Sequence, residues 1–286
     1  HWPQALRQAF GDRALDLRLR LQAADWLGTL GDTLRLQWAE GTAGADRTGR
    51  RPVAGLRLYP ALWVHMGKPG RSTRFMIGAP PSAFHSSERP IFATRLPGFA
   101  AAAQPVTVQE WRCFVASGGY DPQAPWWRDA GPAAQAWLAE HLRNQRPLQA
   151  RCEGWPGFHG PLQPVTGISQ FEALAYACWA SALQPAQPGM DQPLQVPTEL
   201  QWEALARGPA GWWQALWPRW PWQPWGWAHR RSTHRPTALE FNHAATRLGR
   251  TSAVAVFGAS LSRRGLADLA GNVREWTSSL LTAEQR

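Results

Sequence analysis

Three times in this chain a hydroxyl residue stands three positions before an acid or amide, at the head of an apolar run. The stretches are Thr107-Val-Gln-Glu110, Ser169-Gln-Phe-Glu172 and Thr198-Glu-Leu-Gln201. In such a capping box the hydroxyl accepts from an orphan helical N–H, and the third side chain reaches back to the cap's own N–H. Helices are therefore predicted to begin within two residues of Thr107, Ser169 and Thr198. Trp111, Phe114 and Val115 form an i, i+3, i+4 face before Gly118-Gly119 ends the first helix. Phe171, Leu174, Cys178 and Trp179 line the second, and Leu200 and Leu205 precede a stop at Gly208 in the third. Between these short helices lie long stretches rich in the chain's 25 Pro, 26 Gly and 19 Trp. That combination points to an α+β fold of ordered, aromatic-stacked loops rather than regular layers.

The N-terminal part reads differently. Leu15, Leu19, Ala23, Leu27 and Leu30 mark a helical face over residues 14–31, with Gly31 suited to the position after a helix end. The alternation of Leu15, Leu17, Leu19 and Leu21 leaves a strand open, although length and alanine content favour helix. The run resembles the closing helix of a HEAT-like repeat; the alternative is an amphipathic helix packed on the domain that follows. Residues 1–39 are thus a helical segment, 40–54 a polar, basic, glycine-bearing linker, and 55–286 the main domain. Short strands are expected at 55–60, 62–64, 74–78 and 91–96.

A second constraint lies near the end of the chain, in Gly265-Leu-Ala-Asp-Leu-Ala-Gly-Asn-Val-Arg-Glu-Trp276. Asp268 and Glu275 carry carboxylates, and Gly271 and Val273 can offer main-chain carbonyls. Two carboxylates and two carbonyls at one point would suit Ca²⁺, a hard cation that takes oxygen donors. The alternative is a turn at Gly271-Asn272 entering a strand, with both acids solvated.

Composition excludes several classes. No run of about 18 apolar residues exists, so no membrane span is expected. The first residues do not form a signal peptide, and without an initiator Met the chain is expected to be part of a longer protein. Cys113, Cys152 and Cys178 leave at least one thiol unpaired and show no zinc spacing, which favours a reducing, cytoplasmic compartment. The net charge is +10 and Lys68 is the sole lysine. Yet the arginines are scattered, with Arg230, Arg231 and Arg235 the densest group, so nucleic acid is not the expected partner. Glu199 and Glu203, four apart on one helix, read as partners of the helix dipole or of Arg207 rather than as an acid–base pair. Trp212, Trp213, Trp217, Trp220, Trp222, Trp225 and Trp227 crowd into a proline-broken segment. Internal stacking is the first reading of it. Exposed with Arg219, Arg230 and Arg231, it would form a recognition surface of the residue types that dominate binding hot spots.

The 265–276 stretch resembles the GLxDMxGNVWEW signature of the formylglycine-generating-enzyme, or sulfatase-modifying-factor, family. Gln104-Pro-Val-Thr107 with Trp111 and Phe114 resembles that family's PVTxxEYxxF segment. Pro164-Val-Thr-Gly-Ile-Ser169 with Glu172-Ala173 and Ala175-Tyr176 is similar to PVxxVSWxxAxAYCxW. Val196-Pro-Thr-Glu199, Gln201-Trp-Glu203 and Ala206-Arg-Gly208 resemble LPTEAEWExAARG, and Pro224-Trp-Gly226 its PWG. Arg74 to Gly78 resembles the family's opening FxMG strand. The resemblance implies a C-type-lectin-like fold with a small twisted sheet and few helices. It also implies, for formylglycine-generating enzymes, copper held by two cysteines well beyond the GNVWEW motif. None of the three cysteines here occupies such a position, so copper is not expected in residues 1–286. Asn242 matches the first ligand of an upstream cation site of the family, but the loop after it is short and has no acid before Val254. In large bacterial NTPase proteins of signalling and defence, HEAT-like repeats often precede this domain. The expected function is recognition of a protein or small ligand through the lectin-like face. The alternative is an oxidase converting a sulfatase cysteine to formylglycine, with the domain expected to be C-terminally incomplete here and its copper-binding cysteines beyond Arg286.

Overall fold

The computed structural model describes residues 2–12, 14–30, 36–38, 56–58, 63–68, 70–78, 90–144, 146, 149–183, 193–208, 241–257 and 265–279. The expected linker at 40–54 and the Trp/Arg segment from Trp212 to Arg231 lie outside the described residues.

Helices α1 (Trp2–Gly11) and α2 (Leu17–Thr29) pack against each other. Asp16 caps α2, its carboxylate accepting from the Arg18 N–H at 2.8 Å. β1 (Leu36–Trp38) pairs antiparallel with β2 (Leu56–Leu58). Two further ribbons follow: β3 (Trp63–Met66) with β6 (Phe99–Ala102), and β4 (Ser72–Ile77) with β5 (Phe92–Pro97), both antiparallel. The helices α3 (Val108–Ala116), α6 (Gln170–Ala182) and α7 (Glu199–Arg207) start one residue after the three predicted caps, and all three boxes are closed in both directions. Glu110 Oε2 accepts from the Thr107 N–H at 2.8 Å, Glu172 Oε2 from Ser169 at 2.6 Å, and Gln201 Oε1 from Thr198 at 2.9 Å. α4 (Pro125–Asp129) and α5 (Pro132–Arg143) lack a capping box and carry proline in the first turn, and Ala134, Trp137, Leu138 and Leu142 give α5 its core-facing side.

Among the described residues, three cores hold this together. In the first, α3, α4, α5 and α6 close around Phe114, whose ring meets those of Trp111, Tyr120, Trp126, Tyr176 and Trp179 at centroid distances of 5.0 to 6.3 Å. Several polar ends of these rings are satisfied inside. Trp126 and Trp127 both donate to the Gly119 carbonyl, at 2.9 and 2.7 Å, and the Tyr120 hydroxyl donates to Glu172. Glu172 thus joins its cap to the core. In the second, Ala24 and Leu27 of α2 pack on Leu162, Ala253, Val256 and Phe257. The approach is close: a Cβ on Gly28 would stand 2.5 Å from Pro161. The third gathers Met66 of β3, Phe75 and Ile77 of β4, Ala204 and Leu205 of α7, and Leu266. Among the described residues no helix is long and apolar enough to cross a membrane.

Candidate functional site

The 265–279 segment enters over the third core and leaves across two helix ends. The Ala267 N–H donates to the Ala103 carbonyl at 2.7 Å, just beyond β6, and Leu266 is buried. Among the described residues, four other than glycine hold a left-handed backbone: Arg247, Ala255, Asp268 and Asn272, with φ of 53, 59, 56 and 59°. Asp268 and Asn272 lie in this segment, and Ala255 donates to Asp268. Such backbone is costly for a side-chain-bearing residue and survives only where the surroundings over-determine it.

The surroundings here are a knot of side-chain amides. Asn272 accepts from the Ser252 N–H at 2.9 Å and donates to the Ser252 carbonyl at 3.2 Å, so its side chain pairs with Ser252 as a peptide group in a sheet would. Its own N–H donates to the Asn242 carbonyl at 2.8 Å. That carbonyl lies so near that a Cβ on Gly271 would stand 2.3 Å from it, which is why glycine precedes Asn272. Asn242 in turn donates to the Arg250 carbonyl at 2.9 Å and accepts from the Thr246 hydroxyl at 3.0 Å. Gln163 ties the same loop to the first core, donating to the carbonyls of Gly157 and Thr251 at 2.9 and 2.6 Å. Asn242, which the resemblance set against an upstream cation site, is thus held by protein partners on both ends of its amide.

Asp268 is 2% exposed, and one of its oxygens accepts from the Ala255 N–H at 2.6 Å. Burial pushes its carboxyl up to about 6; the hydrogen bonds from Ala255 and the Asn272 side chain oppose this. Among the described residues no basic side chain offsets the charge. A buried carboxylate lacking a counter-charge, close in sequence to two further carbonyls, is donor chemistry that fits a hard cation. The other predicted ligands are placed differently. Glu275 is exposed and accepts from the Trp202 indole N–H at 3.3 Å, and the Gly271 carbonyl accepts from the Val273 N–H at 2.7 Å. Among the described residues, no group of three or more His, Cys, Asp or Glu side chains is placed to hold a metal.

Beyond Val273 the segment runs over the starts of α6 and α7. Gln170 donates to the Thr277 carbonyl at 2.6 Å, Ser278 to that of Pro197 at 2.9 Å, and the Glu199 N–H to Ser279 Oγ at 2.9 Å. This presents Arg274, Glu275 and Trp276 on the outside; Trp276 is 50% exposed with its indole N–H donating to Ile168 at 3.0 Å. Arg274 stands where the resembled signature has Trp. Glu203 serves structure, accepting from the Gly78 N–H at 2.9 Å and pairing with Arg207.

The thiols lie elsewhere. Cys113 on α3 and Cys178 on α6 pack against the first core, and Cys152 is fully buried within it on a short 3₁₀ turn, Arg151–Gly154. Burial raises all three, Cys113 to about 11, with Glu110 adding to the effect.

The sequence matches the model of the sulfatase-modifying factor enzyme 1-like domain over residues 64–286. It is 33% identical to a hercynine oxygenase of Mycolicibacterium thermoresistibile, over 68% of this chain and 39% of the relative. It is 32% identical to one of Mycobacterium tuberculosis, over 68% and 41%. It is 30% identical to a formylglycine-generating enzyme of Thermomonospora curvata, over 76% and 71%. The chain spans about two fifths of the length of the hercynine oxygenases it matches. With the capped helices, the short ribbons and the Gly-Asn knot all where that domain's motifs fall, the chain belongs to the formylglycine-generating-enzyme, or sulfatase-modifying-factor, family.

Proposed function

We propose that residues 1–286 act as a recognition module of this family within a larger bacterial protein, binding a protein or small ligand through the lectin-like face. The observation that supports this most directly is the use of the thiols. Each is packed into the aromatic core and held protonated by burial, whereas a copper centre needs deprotonated sulfurs at close spacing. The exposed Arg274–Trp276 strip, fixed across two helix starts, supplies the residue types that carry binding energy. Three free thiols among the described residues agree with a cytoplasmic location. A Ca²⁺ bound here would take the buried Asp268 as its carboxylate ligand; the Gly271 and Val273 carbonyls and Glu275 would complete the set only by turning from the Val273 N–H and the Trp202 indole toward it.

Incubating the chain with Cu(I) and a CxPxR-containing peptide, with thiol loss followed by mass, tests the recognition reading. No turnover is expected, and turnover by residues 1–286 would overturn it. The similarity to hercynine oxygenases favours a second reading, in which this domain forms part of an oxygenase. Incubation with hercynine under O₂, followed by mass, separates the two: an oxidised product supports the oxygenase reading, and binding without turnover supports the recognition reading.

A further inference from the structure

The β4–β5 ribbon carries an arrangement that strand pairing ordinarily avoids. Its register sets Arg74 directly opposite Arg95. Directly facing residues on an antiparallel pair have Cα atoms about 4.5–5.5 Å apart, and like charges at such a position oppose pairing. One face of the ribbon is committed to the core, since Phe75 and Ile77 are buried against α7 and Leu266. Alternation therefore turns Ser72, Arg74 and Met76 of β4, with Ala93, Arg95 and Pro97 of β5, to the other face, where all but the half-buried Met76 are exposed. At the end of the ribbon beside Pro97, the turn from Lys68 to Arg71 adds two more exposed cations; it is closed by the Arg71 N–H donating to the Lys68 carbonyl at 3.1 Å. Gly98 donates to the Arg71 carbonyl at 3.0 Å and holds that turn against the strand. Among the described residues no acidic side chain pairs with any of the four.

We propose that this open face of the β4–β5 ribbon, with Lys68, Arg71, Arg74 and Arg95, docks the phosphate backbone of a nucleic acid without reading its sequence. Two guanidiniums side by side match a phosphate's oxygens in a fork that lysine cannot form. The row continues with Arg71 and Lys68 at intervals of a few residues, which suits a ligand whose charge repeats regularly along its length. A two-stranded ribbon also has the width that a major groove admits. The excess of 30 basic over 20 acidic residues favours encounter with any polyanion. Pairing creates this face: Arg74 and Arg95 are 21 positions apart in the chain, and neither belongs to a basic run.

Fluorescence anisotropy of the full chain with a labelled 20-base-pair DNA duplex, across a salt series, tests the proposal. Arg74→Ala/Arg95→Ala should weaken binding by at least ~10-fold and lower the slope of log K against log salt by about 2. Arg18→Ala/Arg143→Ala removes the same charge from two exposed helical sites and should leave the slope within about 0.5 of the original. The ribbon variant should melt at the same or a higher temperature, because it loses a repulsion. Absence of duplex binding, equal losses in the two double variants, or equally tight, Arg74/Arg95-dependent capture of poly-glutamate would each overturn the assignment.

Discussion

The α3–α6 layer and the loops at 241–257 and 265–279 both bury their central residues but are held by different means. Around Phe114 the binding energy is area and ring contact; the Tyr120 hydroxyl and the Trp126 and Trp127 indoles find partners nearby, whereas among the described residues the buried indole N–H groups of Trp111 and Trp179 have none. Around Asn272 order comes from side-chain amides that imitate main-chain pairing, with two left-handed residues in the segment itself. The first kind of region loses stability in proportion to the atoms removed, because neighbours relax only partly into the space. The second has few redundant contacts, so one lost amide leaves several buried groups unpaired at once.

The largest effect is expected in the aromatic layer. Phe114→Ala should cost about 3–5 kcal/mol in denaturant unfolding, since the space at the centre of five rings is too large for neighbours to fill. Asn272→Ala should cost about 2–3 kcal/mol, although it removes far fewer atoms, because it strands the Ser252 N–H and puts alanine at a φ of 59°. Proteolysis should then cut within 241–257 while α3–α6 stay protected; uniform cleavage would erase the contrast between the regions.

Asp268 sharpens the comparison through pH. Its folded-state pKa, about 6, lies above its unfolded value of 3.8, so the folded state holds the proton more tightly. In chelator, the loop is therefore penalised by ionisation above about pH 6, and the penalty fades as pH falls toward 4, a change on the order of 2 kcal/mol. Asp268→Asn should flatten that profile. Added Ca²⁺ should raise the melting temperature of the wild type at pH 7 more than at pH 5, and not that of Asp268→Ala; equal shifts in both proteins would refute the cation site. The smallest effects concern caps. Thr107→Ala should cost about 1–2 kcal/mol, because its hydroxyl and Glu110 are wholly buried, and Thr198→Ala about 0.5–1 kcal/mol, because its box is exposed.

Much of the aromatic layer is legible in the residues themselves. A capping box acts within four residues, and the helix face it begins repeats every three or four, so Thr107, Ser169 and Thr198 mark their helices locally. The two helices without such a mark, α4 and α5, start at Ala124-Pro125 and Gly131-Pro132 with no side-chain cap, and leave no comparable signature. The Gly271-Asn272 pair signals a turn, but the turn is the lesser part of its role. What Asn272 binds lies 20 and 30 positions away, at Ser252 and Asn242. Nor does spacing tell that Glu275 faces the Trp202 indole while Asp268 turns inward to Ala255.

By itself, then, the sequence determined what short-range chemistry controls: where three helices begin, which faces they bury, which residues tolerate a turn, and the family those motifs spell. Only the tertiary structure decided how charge and hydrogen bonding are shared between distant segments. Burial in a shared interior sets the Asp268 carboxyl near 6 and keeps three thiols protonated, and strand register alone brings Arg74 to face Arg95. Coulomb and desolvation energies depend on separation in space and on the dielectric between groups, and neither quantity is a function of position along the chain.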